Sequence, residues 1–61
     1  SGCVNLVTLD LSGWNLDNTI VDRRLFEDCN NLKTVRMVGC SQTTIDKIKK
    51  VLPSGASIVT K

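Results

Sequence analysis

"CVNLVTLDLSGW" occupies residues 3–14 and "CNNLKTVRMVGC" occupies residues 29–40, nearly the same stretch again after 26 positions. Cys3 aligns with Cys29, Asn5 with Asn31, Leu6 with Leu32, Thr8 with Thr34 and Gly13 with Gly39, five identities in twelve positions. Leu9 with Val35 and Leu11 with Met37 are conservative apolar pairs. A period of this size predicts stacked coils, each of which buries its apolar edge only against its neighbour.

Within each repeat the pattern alternates. Leu9 and Leu11 oppose Thr8, Asp10 and Ser12, and Val35 and Met37 oppose Thr34 and Arg36. Alternation with β-branched residues predicts short strands at about 7–11 and 34–38. The glycine that follows each, Gly13 or Gly39, suits a turn with positive φ. Between the repeats, Val21, Leu25, Phe26 and Cys29 follow helical spacing, and Thr19 with Asp22 resembles a capping box. A short helix is expected at about 20–28. Beyond Cys40, "TTIDKIKKVLP" places Ile45, Ile48, Val51 and Leu52 on one face, which predicts a helix at about 43–52. Thr43 is its expected cap, and Pro53 its stop. Ser54-Gly55 then turns the chain into a third strand at about 57–60.

Strand, helix, strand, helix, strand implies parallel pairing through right-handed crossovers. The fold class expected is therefore α/β, a right-handed solenoid of short parallel strands with helices on one side. Residues 1–61 read as one domain, and residues 41–61, which lack the Cys-x-Asn-Leu motif, as a C-terminal cap. The chain opens Ser-Gly-Cys with no initiator Met and is expected to be a piece of a longer protein.

Composition narrows the function classes. The net charge is +2, hydrophobic residues make up 41% and Trp14 and Phe26 are the only aromatics, values ordinary for a globular domain. Residues 1–46 carry four basic and six acidic side chains; residues 47–61 carry Lys47, Lys49, Lys50 and Lys61 and no acid. Lys47, Lys49 and Lys50 form a basic helix face that suits an anionic partner, though a solvated face is the commoner meaning of such a run. No nucleic-acid partner is expected. No stretch approaches the ~20 apolar residues of a transmembrane helix, so no membrane insertion is expected.

Nothing predicts chemistry. Histidine is absent, which removes the common Cys/His zinc patterns and the usual activating base for a cysteine nucleophile. Asp10 with Asp17, and Glu27 with Asp28, read as exposed acids rather than a catalytic pair. No enzyme activity, metal or cofactor is expected. Cys3 and Cys29 hold equal repeat positions and should stack on adjacent coils. Buried thiols act as small hydrophobes, and stacked coils also bring two cysteines within bridging range; both readings stay open.

The outward strand faces are the candidate binding surface. Stacking sets Thr8 beside Thr34 and Asp10 beside Arg36, as a threonine ladder and a cross-strand ion pair or as a ligand-facing polar strip. The free edge near Leu9 and Leu11 is expected to favour edge-to-edge self-association.

"NLVTLDLSGWNLDN", followed by "LFEDCNNLKTV", resembles the BspA-like leucine-rich repeats of bacterial surface proteins. Leu6, Leu9, Leu11, Ser12, Gly13, Trp14, Asn18, Phe26 and Cys29 fall on that pattern, which covers about one and a half repeats, residues 3–40. The second repeat departs from it, with Cys40 where the first has Trp14. Trp14 follows the strand at a turn, where it packs on the next coil or stands exposed as a binding anchor; the resemblance implies the packed form, a secreted or cell-surface setting and a role in adhesion or protein binding. It supplies no catalytic residues.

Overall fold

Three short strands run side by side and parallel in the order β1-β2-β3: β1 is Thr8–Asp10, β2 is Thr34–Arg36 and β3 is Ser57–Val59. The structure is a computed structural model and describes residues 4–61. One α-helix, α1, spans Gln42–Val51, and a 3₁₀ turn spans Arg23–Phe26. The register sets Thr8 against Thr34 against Ser57, Leu9 against Val35 against Ile58, and Asp10 against Arg36 against Val59. Residues equivalent in the sequence repeat are thus neighbours in space.

The strands hold three residues each, shorter than the expected 7–11, 34–38 and 57–60. Pairing nevertheless continues past them. The amide of Leu11 donates to Arg36 O at 2.8 Å, and that of Gly13 to Val38 O at 2.9 Å. The chain leaves extended geometry because Gly13 (φ 78°) and Gly39 (φ 79°) turn it at the same repeat position. That left-handed conformation is costly for a residue with a Cβ.

The helix expected at 20–28 is a single 3₁₀ turn. Asp22, not Thr19, caps it: Asp22 Oδ1 accepts from the amide of Arg24 at 2.9 Å. Of the expected apolar face only Phe26 and Cys29 are buried, while Val21 is half-buried and Leu25 is 46% exposed. So short a segment has too little packing to offset the cost of helix nucleation. It ends at Phe26, and two residues on Asp28 takes a left-handed φ of 68°.

The second helix forms one residue earlier than expected at each end. Its cap is Ser41, whose Oγ accepts from the amide of Thr44 at 3.1 Å; Thr43 lies exposed inside the helix. Leu52 is extended (ψ 135°), as a residue before proline prefers.

The core gathers Leu11, Phe26, Cys29, Leu32, Val35, Met37, Ile45 and Ile48. Val35, Met37 and Ile48 are wholly buried, at 0% exposure, because β2 is covered by a strand on each side and by α1. Leu9 and Ile58, on the edge strands, are only half-buried. Cys3 lies outside the described residues, and with it the question of its stacking or bridging to Cys29.

Candidate binding surfaces

Three surfaces carry functional chemistry or the semblance of it. The first is the outward face of the sheet. Thr8, Asp10, Arg36, Ser57 and Val59 are exposed on it and Thr34 is half-buried, so the four residues singled out in the sequence, Thr8, Asp10, Thr34 and Arg36, share one face in two cross-strand pairs. Asp10 and Arg36 are ladder neighbours, but the carboxylate turns to its own chain. Asp10 Oδ1 accepts from the amide of Ser12 at 2.9 Å. Hydrogen bonds from Ser12 hold its pKa below the ordinary 3.8 against the opposing effect of desolvation, with the charge of Arg36 a smaller aid. The ion pair expected there is a charge acting at a distance.

The second surface is the C-terminal half of α1, where three lysines suggested a basic face. Lys47 does not present its charge to solvent alone. Its Nζ donates to the carbonyls of Leu16, Asp17 and Thr19 at 2.9, 2.7 and 2.9 Å, using all three ammonium protons on the loop that follows the first repeat. One turn earlier, the hydroxyl of Thr44 donates to Asp17 Oδ1 at 2.8 Å and accepts from the amide of Leu16 at 2.9 Å. Ser41 Oγ also donates to Asp17 Oδ1, at 2.5 Å. These donors, Ser41 first and Thr44 next, lower the pKa of Asp17, with burial opposing and Lys47 adding its charge. The cluster is a clasp between α1 and the 16–19 loop. Lys49 and Lys50 remain exposed, and Lys50 borders a shallow depression of about 440 Å³ beside that loop.

The third surface was not foreseen as a site. Between β1 and the 3₁₀ turn lies an apolar groove of about 640 Å³, floored by Leu9, Leu11, Leu16 and Val21 and rimmed by Trp14, Ile20 and Leu25. Trp14 is 53% exposed and Ile20 is 95% exposed. The packed Trp14 that the family resemblance implies is therefore corrected: in the second repeat the equivalent Cys40 is half-buried and donates from Sγ to Leu11 O at 3.3 Å, whereas Trp14 has no such neighbour to cover it among the described residues. Trp14, Ile20 and Leu25 follow neither strand nor helix periodicity together, so nothing in the sequence groups them.

Among the described residues no set of three His, Cys, Asp or Glu side chains stands close enough to hold a metal ion. No described helix is long and apolar enough to cross a membrane. Compared with protein families, curated proteins and solved structures, the chain matches none.

Proposed function

We propose that this chain is a non-enzymatic, repeat-built protein-interaction domain, a short solenoid whose β1 end receives an extended segment of protein. The observation that carries the reading is the groove of about 640 Å³ beside an edge strand, rimmed by an indole and an isoleucine that project into solvent. An edge strand supplies unpaired amides and carbonyls, and a neighbouring apolar groove supplies side-chain pockets; together these are the parts of strand addition. The repeat supports the solenoid reading, because a unit that stacks on one neighbour through β2 keeps the same kind of surface on its other side. Residues 41–61 form the opposite end of the stack, where β3 is the edge strand. The resemblance to BspA-like repeats supports a setting in a bacterial surface or secreted protein and a role in adhesion.

The alternative, a basic module for an anionic partner, is weaker because Lys47 is committed to three carbonyls and leaves Lys49 and Lys50 as its exposed charges.

The test is a titration of the isotope-labelled chain with a peptide of residues 29–40 carrying serine at positions 29 and 40. This peptide is the strand that the repeat itself stacks on a following unit. Saturable shifts at the Thr8 and Asp10 amides and the Trp14 indole are expected, with a blue shift of Trp14 emission. Absence of shifts at about millimolar peptide, where the weakest useful contacts still register, or shifts confined to α1, rejects the reading.

A further inference from the structure

The backbone bonds that join β1 to β2 recur between β2 and β3. Val7 O accepts from the amide of Thr34 at 3.2 Å, and Lys33 O from that of Ser57 at 2.9 Å. The amide of Leu11 donates to Arg36 O and that of Met37 to Val59 O, both at 2.8 Å. Each strand therefore uses alternate residues toward its two sides, as parallel ladders require. Residues 7, 9 and 11 of the first repeat and 35 and 37 of the second face the following strand, as does the carbonyl of Lys33, whose amide instead turns back to Val7 O at 2.8 Å. Thr34 and Arg36 face the preceding one, as do Ser57 and Val59.

Among the described residues both outer edges remain open, since the sheet ends at β1 and at β3. By the same alternation, the outer edge of β1 offers the backbone of Thr8 and Asp10, and that of β3 offers Ala56, Ile58 and Thr60. These two edges are in phase with each other. Ala56 corresponds to Lys33 and Thr60 to Met37, while Thr8 corresponds to Ser57 and Asp10 to Val59. Resting on the repeat-built reading above, we propose that the chain associates head to tail, with β3 of one molecule laid parallel against β1 of the next. The amide of Thr8 then donates to Ala56 O, and the amide of Thr60 to Asp10 O.

Charge and apolar surface favour the same pairing. Residues 1–28 hold five acidic and two basic side chains, a balance of −3, whereas residues 48–61, beyond the committed Lys47, hold three lysines and no acid. Apposing β1 to β3 joins opposite charges. The other arrangement, two β1 edges antiparallel about a two-fold axis, sets two acidic ends together and is disfavoured. The groove rim of Trp14, Ile20 and Leu25 meets Leu52 and Ile58 of the neighbouring molecule, which are only half-buried in their own. Because the contact is heterologous and its rotation need not close, it generates chains rather than a closed dimer.

Two single substitutions test this by sedimentation. Thr60→Pro removes the outward amide beyond β3. Ile20→Lys places a charge at the groove rim, at a side chain already 95% exposed and so dispensable to folding. The unaltered chain is expected to gain mass above 6.7 kDa as concentration rises from about 10 µM to about 1 mM, the range of weak contacts. Raising salt to about 0.5 M should weaken the association roughly threefold. Each variant alone should stay monomeric, and an equimolar mixture should form a 1:1 dimer and nothing larger, since each keeps one working end. Dimers of Thr60→Pro alone would establish the two-fold β1 contact and overturn the proposal. So would an unaltered chain that stays monomeric throughout. If that monomer still binds the 29–40 peptide at the groove, only the occupant is wrong; if it does not, the interaction reading fails with it.

Discussion

The hydroxyl of Thr44, 0% exposed, stands between two groups of the same loop: it donates to Asp17 Oδ1 at 2.8 Å and accepts from the amide of Leu16 at 2.9 Å. A residue of the first turn of α1 thereby fixes a loop 27 positions earlier in the chain. Ser41 and Lys47 complete the attachment from either side.

Thr44→Val keeps the shape of the side chain and removes both bonds. It leaves a backbone amide and a carboxylate oxygen short of a partner, and should cost about 1–3 kcal/mol. Thr44→Ser retains the hydroxyl and should recover more than half of the loss. Urea denaturation of the two variants decides whether the hydroxyl or the methyl group matters.

Lys47, Lys49 and Lys50 should separate cleanly. Lys47→Met abandons three carbonyls and should lower stability by about 1.5–3 kcal/mol, the range for hydrogen bonds to a charged group. Lys49→Met and Lys50→Met alter exposed side chains and should stay within about 0.5 kcal/mol of the parent. Equal effects at all three positions would mean that the clasp does not hold in solution.

Acid should loosen the fold through Asp17 and Asp10. Both carboxyls have folded pKa values below the ordinary 3.8, Asp17 through Ser41 and Thr44, Asp10 through Ser12. Depressed values mean that the charged form is favoured in the folded state. Their contribution is complete above the ordinary carboxylate value and is lost as pH falls through the lower, folded one. Thermal midpoints should therefore decline below about pH 4, and Asp17→Asn and Asp10→Asn should each flatten that decline. An unchanged slope in both variants contradicts the assignment.

Backbone conformation predicts opposite signs at two turns. A Cβ built on Gly39 meets nothing within 4 Å, yet φ is +79°, so Gly39→Ala should cost about 1–2 kcal/mol through conformation alone. Asp28 already bears that strain at φ 68°, so Asp28→Gly should gain about 0.5 kcal/mol after the added entropy of the unfolded chain. Denaturation midpoints of the pair read both signs in one experiment.

Much of the fold was legible because it is periodic. The spacing of 26 between Thr8 and Thr34 is the strand register itself, and the glycines that close each repeat turn with nearly equal φ. The apolar face of α1 was legible for the same reason, with Ile45 and Ile48 in the core. The segment at 20–28 misled because helical spacing of Val21, Leu25 and Phe26 describes a possible face without saying whether anything packs on it. Leu25 and Ile20 face the groove instead.

Ser41 illustrates a smaller miss. Both Ser41 and Thr43 are capping residues by type, and local propensity does not choose between them. With α1 beginning at Gln42 and capped by Ser41, Ser41 and Thr44 both reach Asp17 across the chain, a partner that local propensity does not see.

The amino-acid order alone determined the repeat, the parallel register, the positive-φ turns and the apolar stripe of the main helix, since each is a local or periodic property that any folded form must satisfy. Tertiary structure alone decided that Lys47 is a clasp and not a docking charge, that Asp10 bonds to Ser12 rather than to Arg36, and that Trp14, Ile20 and Leu25 enclose one groove. The physical reason is distance along the chain. Lys47 lies 28 to 31 residues from the carbonyls it holds, and partners that far apart have no period to announce them.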